Sequence, residues 1–413
     1  MPHLLITGCG AAGMYAAVHA ARCGCKVTVL DGNDRPGHKL SITGKGRCNV
    51  TNDCDLDTFL QNVPRNPRFL YSALSRCMPA DVQAFFEAEG VPLKTERGRR
   101  VFPQSDRAQD IVGALLKAMQ DAGVTVHLNS RVKKLILSED SCTGVILSDG
   151  SELRADAVLL ATGGMSYPRT GSRGDGYRLA EQAGLTVVPP QPSLIPLETA
   201  ERDAAEMQGL SLRNVTLTVT QGKKTVFTEL GEMLFTHFGI SGPLVLSASC
   251  RMDPQKLDSY LLNIDMKPAL TPEQLDARML RDFAAQQNKD IVNALRGLLP
   301  ASMIPVMLNR AGIPQTQKIH DITKAQRIAL GSCIKSFTLH ASAMRPVTEA
   351  IVTRGGVSVK EINPNTMESK KIRGLYIAGE LLDVDAYTGG YNLQIAFATG
   401  YAAALAAAET ESA

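Results

Sequence analysis

The first 31 residues combine three glycines and one acid in a pattern that suits binding of nucleotide phosphates. Gly8, Gly10 and Gly13 follow an apolar segment and open a run of small residues. At such a turn the glycines allow a tight bend, a close approach of backbone to a pyrophosphate, and close packing of helix on strand. The free N–H groups at the helix N-terminus then face the phosphate. Asp31 ends the next apolar segment, where a carboxylate accepts from a ribose hydroxyl; the alternative is a turn shaped by packing alone.

The N-terminal position of this motif favours FAD over NAD, and two later segments support that interpretation. Residues 154–164 form a buried strand that closes on Ala-Thr-Gly, and residues 374–380 form another that ends in Gly-Glu. Both resemble the later elements of the two-part FAD domain in glutathione-reductase-like flavoproteins. No second glycine motif of this kind follows a strand. We therefore expect NADH or NADPH to bind only transiently, as an electron donor to a tightly bound FAD.

A second glycine-rich loop covers residues 41–52. Gly44 and Gly46 flank Lys45, and Arg47 and Cys48 follow directly. Exposed backbone amides and positive charge suit a pyrophosphate and the flavin edge, so we predict a second cofactor loop. A basic surface turn is the alternative.

The order of the predicted strands and helices that position these loops indicates an α/β fold. We expect a glutathione-reductase-like FAD-binding Rossmann domain in two parts, residues 1–187 and 346–413, interrupted by an inserted domain at 188–345. Four prolines between residues 189 and 196 mark the exit from the first part. Alternating segments around Gln221 and Gly222 predict a hairpin of a β-barrel. Thr271, followed by proline, predicts a helix start, and helical patterns continue over about 270–335.

Composition excludes several classes of protein. The chain has 413 residues, 44% hydrophobic and 21% charged, with a formal net charge of +3. This composition is typical of a globular protein and excludes a disordered, collagen-like or coiled-coil chain. So small an excess of basic residues neither indicates nor excludes a nucleic-acid binder. The nine cysteines include no Cys-x-x-Cys pair, so we expect free thiols and no metal site. With neither a signal peptide nor an apolar run of about 18 residues, we expect a cytoplasmic protein that does not enter membranes.

Three ordered sets of motifs carry a resemblance to a known family. They are residues 163–177, residues 236–243, and the segments 353–357, 366–370 and 389–394. The chain resembles the BaiN-like flavoproteins, also called the aminoacetone oxidase family. The resemblance implies an FAD domain interrupted by a β-barrel with a helical insert, which agrees with the pattern of elements.

The family resemblance implies three activities. Members have been linked to reduction of steroid or bile-acid enones, to dihydrouridine formation in ribosomal RNA, and to amine oxidation. The first two share transfer of hydride from reduced flavin to an activated C=C bond, together with a proton. We therefore expect an NAD(P)H-driven reductase of a small unsaturated substrate or of ribosomal RNA. A peroxide-producing flavin amine oxidase and a non-enzymatic flavin-binding module are the alternatives.

Three residues are predicted to take part in catalysis, namely Cys48, His237 and Arg47. A thiol can supply the proton that C=C reduction requires, and we expect the neighbouring Arg47 to lower the pKa of Cys48. His237 can orient substrate or donate a proton, although a lone histidine is more often structural. Arg99 and Arg100 can bind an anionic group, or can belong to a solvated loop.

The last helix, opened by Gly390, is expected to direct its N-terminus at the flavin pyrimidine edge, where the helix dipole stabilises an anionic reduced ring. A Gly-Gly turn before an Ala-rich helix is the alternative. The predicted cofactor contacts as a whole are Gly8, Gly10, Ala11, Ala12, Gly13, Asp31, Lys39, Gly44, Gly46, Arg47, Cys48, Asn49, Val132, Ala161, Thr162, Gly163, Gly379, Glu380, Asp383, Gly390, Tyr391, Asn392 and Leu393.

Overall fold

The computed structural model describes residues 1–409, which form two compact units. The first unit contains Met1–Ser193 and the chain from Val347 onward, and the second contains Leu194–Pro346. No helix among residues 1–409 is long and apolar enough to cross a membrane.

Nineteen strands are present in the described chain. They are β1 (His3–Thr7), β2 (Lys26–Leu30), β3 (Thr51–Asn52), β4 (Leu93–Glu96), β5 (Arg100–Pro103), β6 (Thr125–His127), β7 (Val132–Ser138), β8 (Ser141–Leu147), β9 (Glu152–Arg154), β10 (Ala157–Leu160), β11 (Val187–Ser193), β12 (Leu197–Thr199), β13 (Ser211–Gln221), β14 (Lys224–Thr236), β15 (Gly239–Ser241), β16 (Tyr260–Asp265), β17 (Phe337–Met344), β18 (Val352–Val357) and β19 (Leu375–Ile377).

Fourteen α-helices lie between these strands in residues 1–409. They are α1 (Ala11–Arg22), α2 (His38–Ile42), α3 (Leu56–Gln61), α4 (Tyr71–Arg76), α5 (Pro79–Ala88), α6 (Ala108–Asp121), α7 (Asp175–Gln182), α8 (Asp203–Glu206), α9 (Pro243–Ser249), α10 (Pro272–Ala284), α11 (Ile291–Ala294), α12 (Ile304–Arg310), α13 (Lys324–Lys335) and α14 (Tyr391–Ala408).

The core of the first unit is a parallel sheet in the order β19-β10-β1-β2-β6. Its central strands are almost entirely apolar and buried, as expected where helices cover both faces of a parallel sheet. Helices α1 and α14 pack so closely that a Cβ on Gly400 would lie 2.5 Å from the Ala12 carbonyl oxygen. The predicted FAD-type Rossmann domain is therefore confirmed.

Three smaller sheets complete the first unit. Strands β7, β8 and β9 form an antiparallel meander, and β3, β5 and β4 form a second small sheet. Strand β11 pairs with β18, so residues 188–193 stay with the first unit, although the sequence analysis began the insert at 188. The register shifts between Val188 and Gln191, where Pro189 and Pro190 cannot donate to the ladder.

The second unit is a closed six-stranded barrel, in the order β12-β15-β14-β13-β16-β17, with helices α10 to α13 between β16 and β17. The predicted hairpin is confirmed: β13 and β14 are joined across Gly222. The predicted helix start is also confirmed, because the Thr271 side chain accepts from the Gln274 amide and Gln274 bonds back to Thr271. A barrel with a helical insert thus interrupts the FAD domain.

Candidate cofactor and active site

The predicted FAD-binding turns of the first unit meet at the carboxyl edge of the parallel sheet. The Gly8–Gly10 turn follows β1, Asp31 follows β2, Ala161–Gly163 follows β10, and Gly379 follows β19. The chain runs from β1 through β2 to β6 on one side of the sheet, and then returns to β10 on the other side of β1. A crevice for a ligand forms where the strand order reverses in this way.

The glycines of the first turn meet different constraints. A Cβ on Gly8 would lie 2.4 Å from the Ala161 carbonyl oxygen, and one on Gly13 would lie 1.9 Å from the Gly8 oxygen. Gly8 also has φ +103°, which disfavours other residues. A Cβ on Gly10 would have no neighbour within 4 Å. Packing therefore requires Gly8 and Gly13, whereas Gly10 keeps open the space in front of α1.

Asp31 is almost buried and ties this turn together. One carboxylate oxygen accepts from the Cys9 amide at 2.6 Å, and the other accepts from the Asn33 amide at 2.8 Å. Each oxygen retains a lone pair, since a carboxylate accepts about four hydrogen bonds. The carboxylate is thus held rigidly beside the glycine turn, and its predicted bond to the adenosine ribose stays a prediction.

The second glycine loop is held by its own backbone, and its arginine is paired with two carboxylates. The Cys48 amide donates to the Thr43 oxygen at 2.9 Å. The Arg47 guanidinium donates to Glu96 at 2.5 and 3.3 Å and to Asp106 at 2.6 and 2.9 Å. Most of its donors are therefore occupied by carboxylates, which leaves little of its charge for a cofactor or for Cys48.

The expected lowering of the Cys48 pKa is wrong. Cys48 is fully buried, and this burial raises the pKa of its thiol to about 12. The charge of Arg47 does not offset the burial, because Glu96 and Asp106 neutralise it. Cys48 therefore stays a protonated thiol through the physiological range. It adopts φ +60°, an unusual backbone conformation for a residue other than glycine.

Lys39 and Glu380 form an ion pair between α2 and the segment after β19. Lys39 Nζ lies 2.6 Å from Glu380 Oε2 and donates to Ser166 Oγ at the same distance. The other Glu380 oxygen accepts from the Thr353 amide at 2.8 Å and from Ser166 at 3.1 Å. This contact joins four separate parts of the chain beside the predicted cofactor turns, and sequence spacing gave no sign of it.

The N-terminus of α14 has no side-chain cap. Its N-cap residue is Gly390, whose φ of +100° suits only glycine. A Cβ there would lie 2.3 Å from the Thr51 backbone. The Asn392 side chain bonds the Ala386 backbone instead of capping the helix. The dipole of this uncapped helix end therefore favours an anionic or electron-rich group.

Two buried polar atoms in the predicted cofactor loops test whether FAD fits. Asn49 Oδ1 and Thr162 Oγ1 are buried and have no hydrogen-bond partner among the described residues. Buried polar atoms are normally satisfied, so both suit a ligand with polar groups. Together with the open space at Gly10 and the uncapped end of α14, these atoms fit a dinucleotide flavin. When bound, FAD would supply hydride-transfer chemistry.

The remaining predicted residues fall into separate places. Val132 begins β7 and is buried, in the same unit as the other predicted cofactor contacts. His237 lies in the second unit, exposed at the turn between β14 and β15, with its ring 5.0 Å from that of Phe238. Arg99 and Arg100 lie at the β4–β5 turn, where Arg100 bonds the Arg97 oxygen.

No group of three or more His, Cys, Asp or Glu within residues 1–409 is placed to hold a metal.

Sequence reasoning missed a buried polar network around Asp383. Asp385 is 1% exposed and accepts from Ser193 at 2.6 Å. The buried Arg354 bonds Gln191 across the β11–β18 pair. Two acids spaced by one residue in an apolar stretch are visible in the sequence, but their distant partners are not.

These observations define the class of the protein. A parallel Rossmann sheet with a glycine turn, an acid after β2 and an uncapped final helix, interrupted by a barrel, is the architecture of an FAD-dependent oxidoreductase. The comparison with family models agrees, because residues 2–406 match the HI0933-like protein Rossmann domain. The chain belongs to the HI0933-like family, which includes BaiN-like flavoproteins.

Two curated relatives match nearly the whole chain. A ribosomal RNA dihydrouridine synthase of Haemophilus influenzae is 33% identical over 406 residues, covering 97% of this chain and 97% of the relative. A 3-dehydro-bile acid delta(4,6)-reductase of Clostridium scindens is 32% identical over 415 residues, covering 99% and 100%.

Solved structures resemble this fold at low sequence identity. A flavocytochrome c3 fumarate reductase in its open conformation gives a TM-score of 0.54 at 17% identity, covering 99% of this chain and 78% of that one. A 3-ketosteroid-delta4-(5alpha)-dehydrogenase from Rhodococcus jostii RHA1 gives 0.50 at 16% identity, covering 98% and 96%. At such identities the likeness concerns the fold alone.

Proposed function

We propose that this FAD-dependent oxidoreductase reduces a C=C bond conjugated to a carbonyl, with NADH or NADPH as the electron donor. One observation carries the proposal: the two whole-length relatives are named for different substrates but for one chemical change. Dihydrouridine differs from uridine by two hydrogens across a C=C bond beside a carbonyl, and a delta(4,6)-reductase likewise saturates a C=C bond. The substrate class is therefore an activated alkene, either a nucleobase in ribosomal RNA or a small enone.

The residues around the site support such a reaction. The uncapped amides of α14 favour negative charge, so they would stabilise an anionic reduced flavin and make hydride available. Lys39 is held in place by its ion pair with Glu380 in the same unit. The backbone at Gly10 leaves room for a pyrophosphate, which anchors the cofactor. Binding and orientation of the flavin are thus assigned to the first unit.

Electron supply is proposed to come from a nicotinamide that binds only during reduction. The glycine turn after β1 is the dinucleotide-binding turn that the sequence analysis identified, and FAD is assigned to it. The donor would then dock against the oxidised flavin without a Rossmann domain of its own, and leave before the unsaturated substrate binds.

A single anaerobic experiment tests this function. The flavin is reduced, separate samples receive an enone steroid, a uridine-containing ribosomal RNA fragment, an amine-derived imine or air, and reoxidation is followed by absorbance. The proposal expects an unsaturated carbonyl substrate to reoxidise the flavin fastest, with the saturated product recovered in equal amount. Fast reoxidation by air alone, with oxidation of an amine in the reductive half, would instead establish the amine oxidase alternative.

A further inference from the structure

The clearest unexplained feature of the first unit is a pair of buried acids. Asp385 is 1% exposed, and its Oδ2 accepts from Ser193 Oγ at 2.6 Å. Its Oδ1 lies 3.4 Å from Arg65 Nε without hydrogen-bond geometry. Burial raises the pKa of the Asp385 carboxyl, and the nearby Asp383 raises it further, whereas Ser193, Arg65 and Arg354 oppose the rise.

Asp383 shares the same cation. Its Oδ1 lies 4.0 Å from Arg65 Nε, and its Oδ2 accepts from Asn66 Nδ2 at 3.2 Å. Burial raises the pKa of this carboxyl too, against the opposing effects of Arg65, Asn66 and the Gly355 amide. Burial raises the pKa of the Tyr177 hydroxyl, and the negative charges of Glu380 and Asp383 raise it further.

Polar atoms without partners are concentrated here. In the part of the chain that the structure describes, seven buried side-chain polar atoms lack a hydrogen-bond partner. Four of them belong to this network, namely Arg65 Nε, Tyr177 Oη, Asp383 Oδ1 and Asp385 Oδ1. Buried groups of this kind are normally satisfied by water, which also carries protons between them. Arg65 is 37% exposed, so the network reaches the surface there.

The network brings two carboxylates and two guanidinium groups together, namely Asp383, Asp385, Arg65 and Arg354. A negative charge added nearby raises the pKa of each carboxyl further. Reduction of a flavin adds such a charge. A carboxyl whose pKa is already raised by burial would respond by taking up a proton.

We propose that Asp383 and Asp385, held by Arg65, form a buried proton store that fills when the flavin is reduced and empties during reduction of the substrate. The inference rests on the proposed function, because only a reduction that consumes a proton needs such a store. The two acids act as positioning residues, since they supply the proton to the group that contacts the substrate.

The proton balance of the reaction is simple. A hydride from the donor, passed through the flavin, forms a C–H bond at one alkene carbon while the π bond breaks. The electron pair of that bond then takes a proton at the other carbon. Each turnover therefore consumes one proton, which the store provides and which water replaces along the exposed edge of Arg65.

Proton uptake during flavin reduction tests the store directly. The holoenzyme is photoreduced anaerobically in weak buffer with a pH indicator, and protons taken up per flavin are measured over about pH 5 to 8. Asp385→Asn and Asp383→Asn remove one titrating group each, and Asp385→Glu restores it. Asp203→Asn is the matched control, because Asp203 is a part-buried acid bonded to Arg310 in the second unit.

The store predicts that wild-type protein takes up as much as about one proton per flavin more than Asp385→Asn near the pH at which the pair titrates. The Asp203→Asn and Asp385→Glu proteins should follow the wild-type curve. Superimposed curves for wild type, Asp383→Asn and Asp385→Asn would overturn the proposal.

A second measurement needs no variant. The infrared difference spectrum between oxidised and reduced wild-type protein should gain the C=O band of a protonated carboxylic acid, and absence of that band would also overturn the store. Neither measurement uses a substrate or a nicotinamide. Proton uptake without reoxidation by any alkene would therefore refute the proposed function and leave the store intact.

Discussion

At the residue scale, Gly10 separates a requirement of folding from a requirement of binding. Its φ of −95° is open to any residue, and a Cβ would meet nothing within 4 Å. Gly8 and Gly13, three residues away or fewer, would collide with backbone if they carried a side chain. A glycine that the protein alone does not need is best explained by close approach of a ligand.

Gly10→Val should therefore leave the fold intact and abolish FAD binding. The branched side chain would occupy the space in front of α1 that a pyrophosphate needs, while its Cβ would have no protein atom within 4 Å. Thermal unfolding of the apoprotein and the FAD content after reconstitution measure the two effects. Gly113→Val is the control, because Gly113 also faces open space but lies on α6. Undiminished FAD binding by Gly10→Val would remove Gly10 from the cofactor site.

Cys48 remains the predicted proton donor, and its pH dependence follows from its burial. The neutral thiol is the donating form, and burial moves its pKa from 9.0 to about 12. Flavin reoxidation by the alkene should thus not lose this donor until the pH rises toward about 12. Cys48→Ala should keep FAD but slow reoxidation by about 10²-fold, as measured by stopped flow. Cys142→Ala, which alters another buried thiol, is the control.

An unchanged reoxidation rate in Cys48→Ala would make this residue structural and leave His237 as the next candidate proton donor.

The expectation for Cys48 also shows what residue types alone can predict. The glycines, Asp31 and the final Gly-Gly turn could be identified because their chemistry is local. The ion pairs of Arg47 could not be identified, since Glu96 and Asp106 lie far along the chain and only folding brings them to it.

At the element scale, the two-residue strand β3 fixes the N-terminus of α14. Thr51 bonds the fully buried Gln394 at 2.7 Å, and Gln394 in turn donates to the Cys77 oxygen. The Asn52 side chain donates to the Gly389 oxygen and to the Gly98 oxygen, each at 3.0 Å. Asn52 thus joins the turn before α14 to the turn of the β4–β5 hairpin.

Asn52→Ala should lower the free energy of unfolding by about 1–3 kcal/mol, because it removes two hydrogen bonds from a residue that is 2% exposed. FAD affinity should fall as well, since the Gly389 turn loses its support. Urea unfolding and flavin titration measure these effects. Asn62→Ala, which loses one bond to the Thr58 oxygen, should cost about 1 kcal/mol or less. Equal losses in the two variants would contradict the role of Asn52.

The elements themselves were well predicted where a periodic pattern was long. The parallel strands, the hairpin at Gly222 and the cap at Thr271 all follow from local signals. Strand β11 could not be predicted from local signals, because its prolines are typical of a linker. Only pairing with β18, more than a hundred residues away, makes this segment a strand.

At the scale of the whole molecule, the chain leaves and re-enters the first unit through one antiparallel pair. Ser193 ends β11 and is the register partner of Val352 in β18. The second unit, Leu194–Pro346, is inserted between them. All the predicted FAD contacts lie in the first unit, whereas His237 lies in the second. Cofactor binding and any contribution of the barrel can therefore be separated by deletion.

Removal of residues 194–346 should give a protein that folds and binds FAD but no longer reduces an alkene. Joining Ser193 to Val347 leaves residues 347–351 as a five-residue loop between β11 and β18, within the usual length for a hairpin. The parallel sheet, both glycine loops and α14 are all retained. The purified protein should be yellow and release one FAD per chain on acid treatment, and dithionite should still reduce it. His237→Ala in the full chain is the companion variant, because it tests whether that side chain accounts for the loss. A deletion protein that folds but stays colourless would show that the barrel unit contributes to cofactor binding, and one that still reduces the alkene would place the whole reaction in the Rossmann unit.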